Sequence, residues 1–162
     1  ALQLLQVNAG GTGLAFTKLL GTTTNDTASA GQVGEYLSAG VLSASAVALT
    51  TNTNVDVTTL ALTAGDWDVN GIVAFVSTAT TTFSFVGGWI NTTSATFPTV
   101  GSDAGSAYQQ IYGTWTQNVP TMSLPTVRLL LSATTTAYLT ARATFSVSTC
   151  SAYGLIRARR VR

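Results

Sequence analysis

Between Leu60 and Val76 the chain alternates apolar and polar positions. Trp67, Val69, Val73 and Phe75 share one parity, and Ile72, Ala74 and Val76 share the other. A period of two is the signature of a β-strand. Asp66, Asp68 and Asn70 keep one face of the first half polar. From Ile72 to Val76 both faces are apolar, which predicts a central strand lying between two layers. Gly65 marks a turn after the short apolar strand at Leu60 to Leu62, so the stretch reads as a hairpin-like unit.

The same alternation recurs on both sides. Leu14 to Phe16 is a short strand after the glycine cluster Gly10, Gly11 and Gly13. Gln32 to Ser38 predicts another strand, and Val41 to Ala48 fits either a helical turn or a loosely packed strand. Val55 and Val57 lie on one face, whereas Leu60 and Leu62 lie on the other. A β-bulge near Thr58 and Thr59 reconciles them. Thr81 to Asn91 is a strand in which Phe83, Phe85 and Trp89 share a parity, with Gly87 in the gap. Residues 92 to 107 form a long loop with a short strand predicted around Ala95 to Val100. Tyr108 to Trp115 is extended, and Val127 to Leu131 is a short apolar strand beyond Pro120 and Pro125. Ala137, Leu139, Ala141, Ala143, Phe145 and Val147 alternate with polar neighbours in the most regular strand of the C-terminal half. Ala152 to Val161 closes the chain as an arginine-rich strand.

Roughly eight to ten short strands punctuated by Gly, Pro and Thr predict an all-β fold, an antiparallel β-sandwich of the jelly-roll type. The domain reading is a connector or shaft end at residues 1–20 and a β-sandwich at residues 21–162. The start at Ala1, without Met, reads as a fragment or processed product.

Composition changes this picture in three ways. Only 8% of the 162 residues are charged, so Ser and Thr supply the polar surface. A weakly charged surface is compatible with a large subunit interface. All six acids lie between Asp26 and Asp103, while every basic residue except Lys18 lies between Arg128 and Arg162, which predicts pairing between the two halves. Cys150 is the single cysteine, so no intrachain disulfide forms. No apolar run has membrane-spanning length, so no membrane insertion is expected.

Conventional nucleophilic chemistry has little support, because the chain contains no His. No metal site and no cofactor are expected, and the glycines at 10–13 lack the context of a phosphate-binding loop. Asp66 and Asp68 point to one face of their strand. Such a pair can bind a hard cation or act on a glycosidic bond. It can equally be solvated, or pair with Arg157, Arg159 or Arg160 within or between subunits, which is the preferred reading. Those arginines form a short cluster without a recognition module, so no nucleic-acid partner is expected. Tyr108, Tyr112 and Trp115, with Gln109 and Asp103 nearby, are the candidates for receptor or glycan contact. Aromatic faces stack on sugar rings while amides and carboxylates bind hydroxyls. On a strand Tyr108 and Tyr112 share a face and Trp115 opposes them, and core or subunit packing is the competing role. The 92–107 loop is a second candidate for recognition.

Two resemblances follow from quoted segments. Leu62, Gly65, Trp67, Val69, Gly71, Val73 and Phe75 resemble part of the complement-type and tumour-necrosis-factor-type trimeric jelly rolls, with Asp66 and Asp68 in place of the usual aromatic pair. More broadly, Leu4 to Phe16, Gly31 to Tyr36, Leu62 to Val69 and Tyr153 to Arg162 resemble the C-terminal tip domains of tail fibres or appendages of tailed bacteriophages and prophages. That resemblance implies a non-enzymatic, homotrimeric virion protein on the extracellular face of a tail appendage. Its implied partners are other virion proteins and a bacterial surface polysaccharide or outer-membrane protein. A structural capsid-decoration or spike protein, and a glycan-degrading appendage, are the alternatives.

Overall fold

The computed structural model describes residues 3–7, 10–18, 25–101, 107–116 and 121–162. Among these residues the structure is all β, with one short 3-10 turn at Ser43–Ser45. The strands are β1 (Gln3–Val7), β2 (Leu14–Lys18), β3 (Tyr36–Val41), β4 (Val47–Ala48), β5 (Val55–Leu62) and β6 (Gly65–Ser77). They continue with β7 (Thr82–Asn91), β8 (Tyr108–Thr116), β9 (Met122–Leu131), β10 (Thr135–Ser146) and β11 (Cys150–Arg160). No helix among the described residues is long and apolar enough to cross a membrane, a statement that does not bear on β-barrels.

β1 and β2 pair antiparallel in a separate two-stranded sheet, joined through the glycine turn. The rest of the described chain forms two antiparallel sheets. One has the order β5-β10-β7-β8, and the other has the order β3-β11-β6-β9, with β4 also on β11. The pairings nest: β3 with β11, β5 with β10, β6 with β9 and β7 with β8. The first of these eight strands therefore pairs with the last, and each inner pair repeats the rule.

Alternation explains why the sheets stack. β6 turns Trp67, Val69, Val73 and Phe75 inward, β11 turns Ala152, Ile156 and Ala158 inward, and β10 contributes Ala137, Leu139, Ala141 and Ala143. These residues share one buried cluster with Leu62, Phe83, Val86 and Ile90. Gly71 and Gly154 bring the layers close at Leu139. A Cβ on Gly154 would lie 2.1 Å from the Ile72 carbonyl oxygen and 3.2 Å from a Leu139 methyl.

Several sequence expectations change. The turn at Gly65 is no hairpin, because β5 and β6 belong to different sheets and the chain crosses between layers there. Among the described residues no second sheet covers Ile72, Ala74 and Val76, although Ala74 is itself buried. Their side of β6 faces outward and Val76 is 42% exposed. A bulge does reconcile Val55 with Leu60, but it sits at Val57, where β10 advances one residue while β5 advances two. A second bulge at Ser84 reverses parity within β7, so Phe83 points into the core while Phe85 and Trp89 point outward. β9 runs through Pro125 because it is an edge strand with a register shift at that place. Residues 32–35 are turns rather than strand, the ambiguous segment becomes a 3-10 turn followed by β4, and Val100 makes only an isolated bridge.

Candidate functional site

The bulge at Ser84 has a consequence outside the core. It places Phe85, Gly87 and Trp89 on the outer face of the β5-β10-β7-β8 sheet, with β8 at its edge. Tyr112 lies opposite Phe85, Gln110 opposite Gly87, and Tyr108 opposite Trp89. On the other side Arg142 lies opposite Gly87 and Thr144 opposite Phe85. A Cβ on Gly87 would be 2.8 Å from the Phe85 ring and 3.3 Å from Trp89, so glycine is what lets the rings close over the strand.

The aromatic side chains form a chain of contacts. Phe85 and Tyr112 have centroids 5.0 Å apart, Trp89 and Phe97 5.0 Å, and Phe97 and Tyr108 5.6 Å. These are the separations of tilted and edge-to-face pairs. The Arg142 guanidinium sits over the Phe85 ring at 5.4 Å. A cleft of about 570 Å³ opens here, lined by Ser84, Phe85, Phe97, Gln110, Tyr112, Arg142 and Thr144. Tyr112 is 74% exposed at its rim.

The loop that supplies Phe97 is held by polar contacts. Asp56 accepts hydrogen bonds from the Ser94 hydroxyl, from the Ala95 N–H at 2.9 Å and from the Thr140 hydroxyl at 2.7 Å. The Trp89 indole N–H and the Asn91 side-chain amide both donate to the Thr96 carbonyl, at 3.0 and 2.9 Å. The Asn54 amide donates to the Ala95 carbonyl at 3.0 Å. Recognition surfaces held on rigid supports lose less entropy on binding.

Of the residues singled out for receptor contact, Tyr112 lines this cleft and Tyr108 abuts Phe97. Gln109 is on the opposite side of β8 from Tyr108. Trp115 also points the other way, stacking on Phe83 at 5.9 Å, with its indole N–H buried and without a hydrogen-bond partner among the described residues. Asp103 lies outside the described residues, as does most of the second half of the 92–107 loop. The sequence pattern places Gln110 beside the aromatic candidates, but it does not single out Phe85, Phe97 or Arg142 as site residues. Parity assigned Phe85 to the side of Phe83, and only the bulge separates them.

The acids and arginines do pair between the two halves of the chain, but Asp66 meets Arg128 and Arg162 rather than Arg157, Arg159 or Arg160. Asp66 is buried under a two-pronged contact from Arg128, 2.7 Å from Nε and 2.6 Å from Nη2, and Arg162 Nε is 2.8 Å away. The Arg128 hydrogen bonds hold its carboxyl below the usual value of 3.8. Asp68, on the same face, is exposed and makes no ion pair among the described residues. Arg160 turns inward to Glu35 at 2.8 Å, and this hydrogen bond, with the Gly31 N–H, lowers the Glu35 pKa from 4.5. Arg157 Nε donates to Asn70 at 2.9 Å, and Arg159 is exposed on the same side of β11. No cluster of three or more metal-binding side chains occurs among the described residues.

The outer face of the other sheet carries an apolar groove. Gly40, Leu42, Ile72, Ala74, Tyr153 and Leu155 line about 390 Å³ of it, and Leu42 is 79% exposed. No family model matches the chain, and no curated protein or solved structure matches it.

Proposed function

We propose that this chain is the tip domain of a phage tail appendage that attaches to a saccharide of the host cell surface without cleaving it. The observation that carries the reading is the outward cleft at Tyr112. It combines an exposed aromatic face with the side chains of Ser84, Thr144 and Gln110, on a sheet braced by the Asp56-anchored loop. Sugar rings present apolar faces edged by hydroxyls, and such a surface matches both features. The resemblance of the quoted segments to appendage tips supports the placement in the virion, on its extracellular side.

The proposal extends to fold type and assembly. Nested pairing of eight strands is what a long hairpin produces when it rolls up into two sheets, and this supports a jelly roll. A homotrimer is the proposed assembly, with the outer face of β3-β11-β6-β9 turned to neighbouring copies. Ile72 and Leu155 on that face are apolar and only partly covered by the described residues. Asp68 and Arg159, adjacent on it and without an ion pair among the described residues, are complementary charges available to neighbouring copies.

Two measurements test the proposal. Mass in solution at micromolar concentration is expected to be three times that of one chain, and a stable monomer refutes the trimer. Binding of the purified domain to immobilised bacterial polysaccharides is expected to weaken about 5–30-fold in Tyr112→Ala, the range for a central aromatic contact worth about 1–2 kcal/mol. Attachment to purified capsids with no affinity for cells or polysaccharides would point instead to a structural virion protein.

A further inference from the structure

The arginines of this chain are mostly accounted for. Arg128 and Arg162 meet Asp66, Arg160 meets Glu35, and Arg157 donates to Asn70. Arg159 is exposed, where water solvates its charge. Arg142 differs from all of these. It is half-buried on the outer face of β10, it has no carboxylate partner among the described residues, and it lines the aromatic cleft.

Its contacts fix its position without neutralising it. One Nη2 hydrogen bond goes to the side-chain oxygen of Asn52, a neutral acceptor. The guanidinium lies over Phe85, 5.4 Å from the ring centroid. Its Nε–H is buried and has no hydrogen-bond partner among the described residues. A guanidinium carries five N–H donors in a planar fork suited to carboxylate oxygens. Among the described residues, one of the five is used. A partly desolvated cation without a counter-charge is unfavourable unless something else supplies the negative charge. Around it stand Ser84, Thr144, Gln110 and the Tyr112 ring, none of them anionic.

The geometry points to an acidic saccharide as the ligand of this cleft, with its carboxylate on Arg142 and a sugar ring against Tyr112. This inference rests on the saccharide-binding reading and narrows it to uronic-acid-type ligands. The carboxylate takes the free Nη donors of the guanidinium, and Ser84, Thr144 and Gln110 bind neighbouring hydroxyls. Arg142 acts as the specificity-determining group, because a neutral sugar leaves its charge uncompensated.

The test uses the whole chain and four immobilised polymers: polygalacturonate, alginate, hyaluronan and neutral dextran. Each acidic polymer is also presented after chemical reduction of its carboxylates to alcohols, which leaves the sugar backbone intact. The expected result is retention of at least one acidic polymer, with affinity falling about tenfold or more on carboxyl reduction, as for loss of a charge-assisted hydrogen-bonded pair. Binding should also weaken as salt rises. Arg142→Gln should reproduce the loss for the acidic polymer only, with Arg142→Lys intermediate, and a thermal melt confirms that both variants fold. The carboxyl-reduction comparison needs no variant. Equal retention of the acidic, reduced and neutral polymers would overturn the acidic preference and leave the saccharide cleft standing. An equal loss in Arg142→Gln on acidic and neutral polymers would assign the residue a structural role and overturn the inference. No retention of any polymer would count against both.

Discussion

The pair Glu35 and Arg160 offers the clearest test of how the two ends of the chain are joined. Their side chains are 7% and 5% exposed, and the Arg160 Nε to Glu35 Oε2 distance is 2.8 Å. The Glu35 carboxylate also accepts the Gly31 N–H at 2.8 Å, which closes the turn at residues 31–35. The backbones clasp as well: Arg160 N–H donates to the Glu35 carbonyl at 2.9 Å, and Gly34 N–H to the Arg160 carbonyl at 3.0 Å. Glu35→Ala leaves Arg160 as a buried cation without its counter-ion. Breaking a buried pair in this way costs about 3–5 kcal/mol. Arg160 keeps its Ala64 carbonyl at 2.9 Å, the Thr63 hydroxyl and the Trp67 face at 4.3 Å, which places the loss near the lower figure. About 3 kcal/mol corresponds to a drop in Tm of roughly 6–12 °C for a domain of this size. Glu35→Gln removes the charge but keeps an acceptor, so it should lose less than Glu35→Ala. Urea unfolding followed by tryptophan fluorescence, together with thermal melts, measures both. A loss below about 1 kcal/mol in Glu35→Ala, the value typical of exposed pairs, would refute the reading of a buried clasp.

Other expectations are equally direct. Glu35 and Asp66 have folded-state pKa values below the ordinary 4.5 and 3.8, through hydrogen bonds from Arg160 and Arg128 respectively. A depressed carboxyl pKa gives stability that is fully present above the ordinary value and lost as pH falls through the folded one. The urea midpoint should therefore show no loss from these groups at neutral pH and fall below about pH 4.5, less steeply in Glu35→Gln, and an unchanged slope in that variant would contradict the assignment. Cys150 is buried, and burial pushes its thiol up to about 12. An aromatic disulfide reagent at pH 8 should label it only on unfolding, and rapid labelling of the native chain would show that β11 opens locally. Gly154→Ala drives a methyl into the Ile72 carbonyl across the strand pair, so it should cost more than the roughly 1–3 kcal/mol of ordinary overpacking. A variant as stable as the parent would place β6 and β11 farther apart at Gly154 than this contact requires.

Much of the fold was legible because alternation is a strong local signal. β10 and β11 follow their parity along almost their whole length, and the inward turn of Trp67, Val69, Val73 and Phe75 was visible in the sequence. The same rule put Arg157 and Arg159 on one side of β11 and Arg160 on the other. Bulges are where that rule fails. One extra residue at Ser84 moves Phe85 and Trp89 to the outer face, and with them the whole cleft. Partner choice among charges was equally hidden. Asp66 meets Arg128 diagonally, because the β6 and β9 register sets Arg128 opposite Asp68, two residues along the same face, and spacing along the sequence carries no such information. The second apolar side of Ile72 to Val76 was visible too, but sequence alone did not distinguish a covering layer of this chain from an open groove.

The central claim is that the Tyr112 cleft is a saccharide-attachment site on a non-enzymatic appendage tip. Surface-plasmon measurement of the intact domain over immobilised polysaccharides, comparing the parent chain with Tyr112→Ala, tests it most directly. The account predicts reversible binding by the parent, about 5–30-fold weaker in the variant, with the polymer recovered at full length. Equal affinity in parent and variant, or polymer shortened during contact, would contradict it.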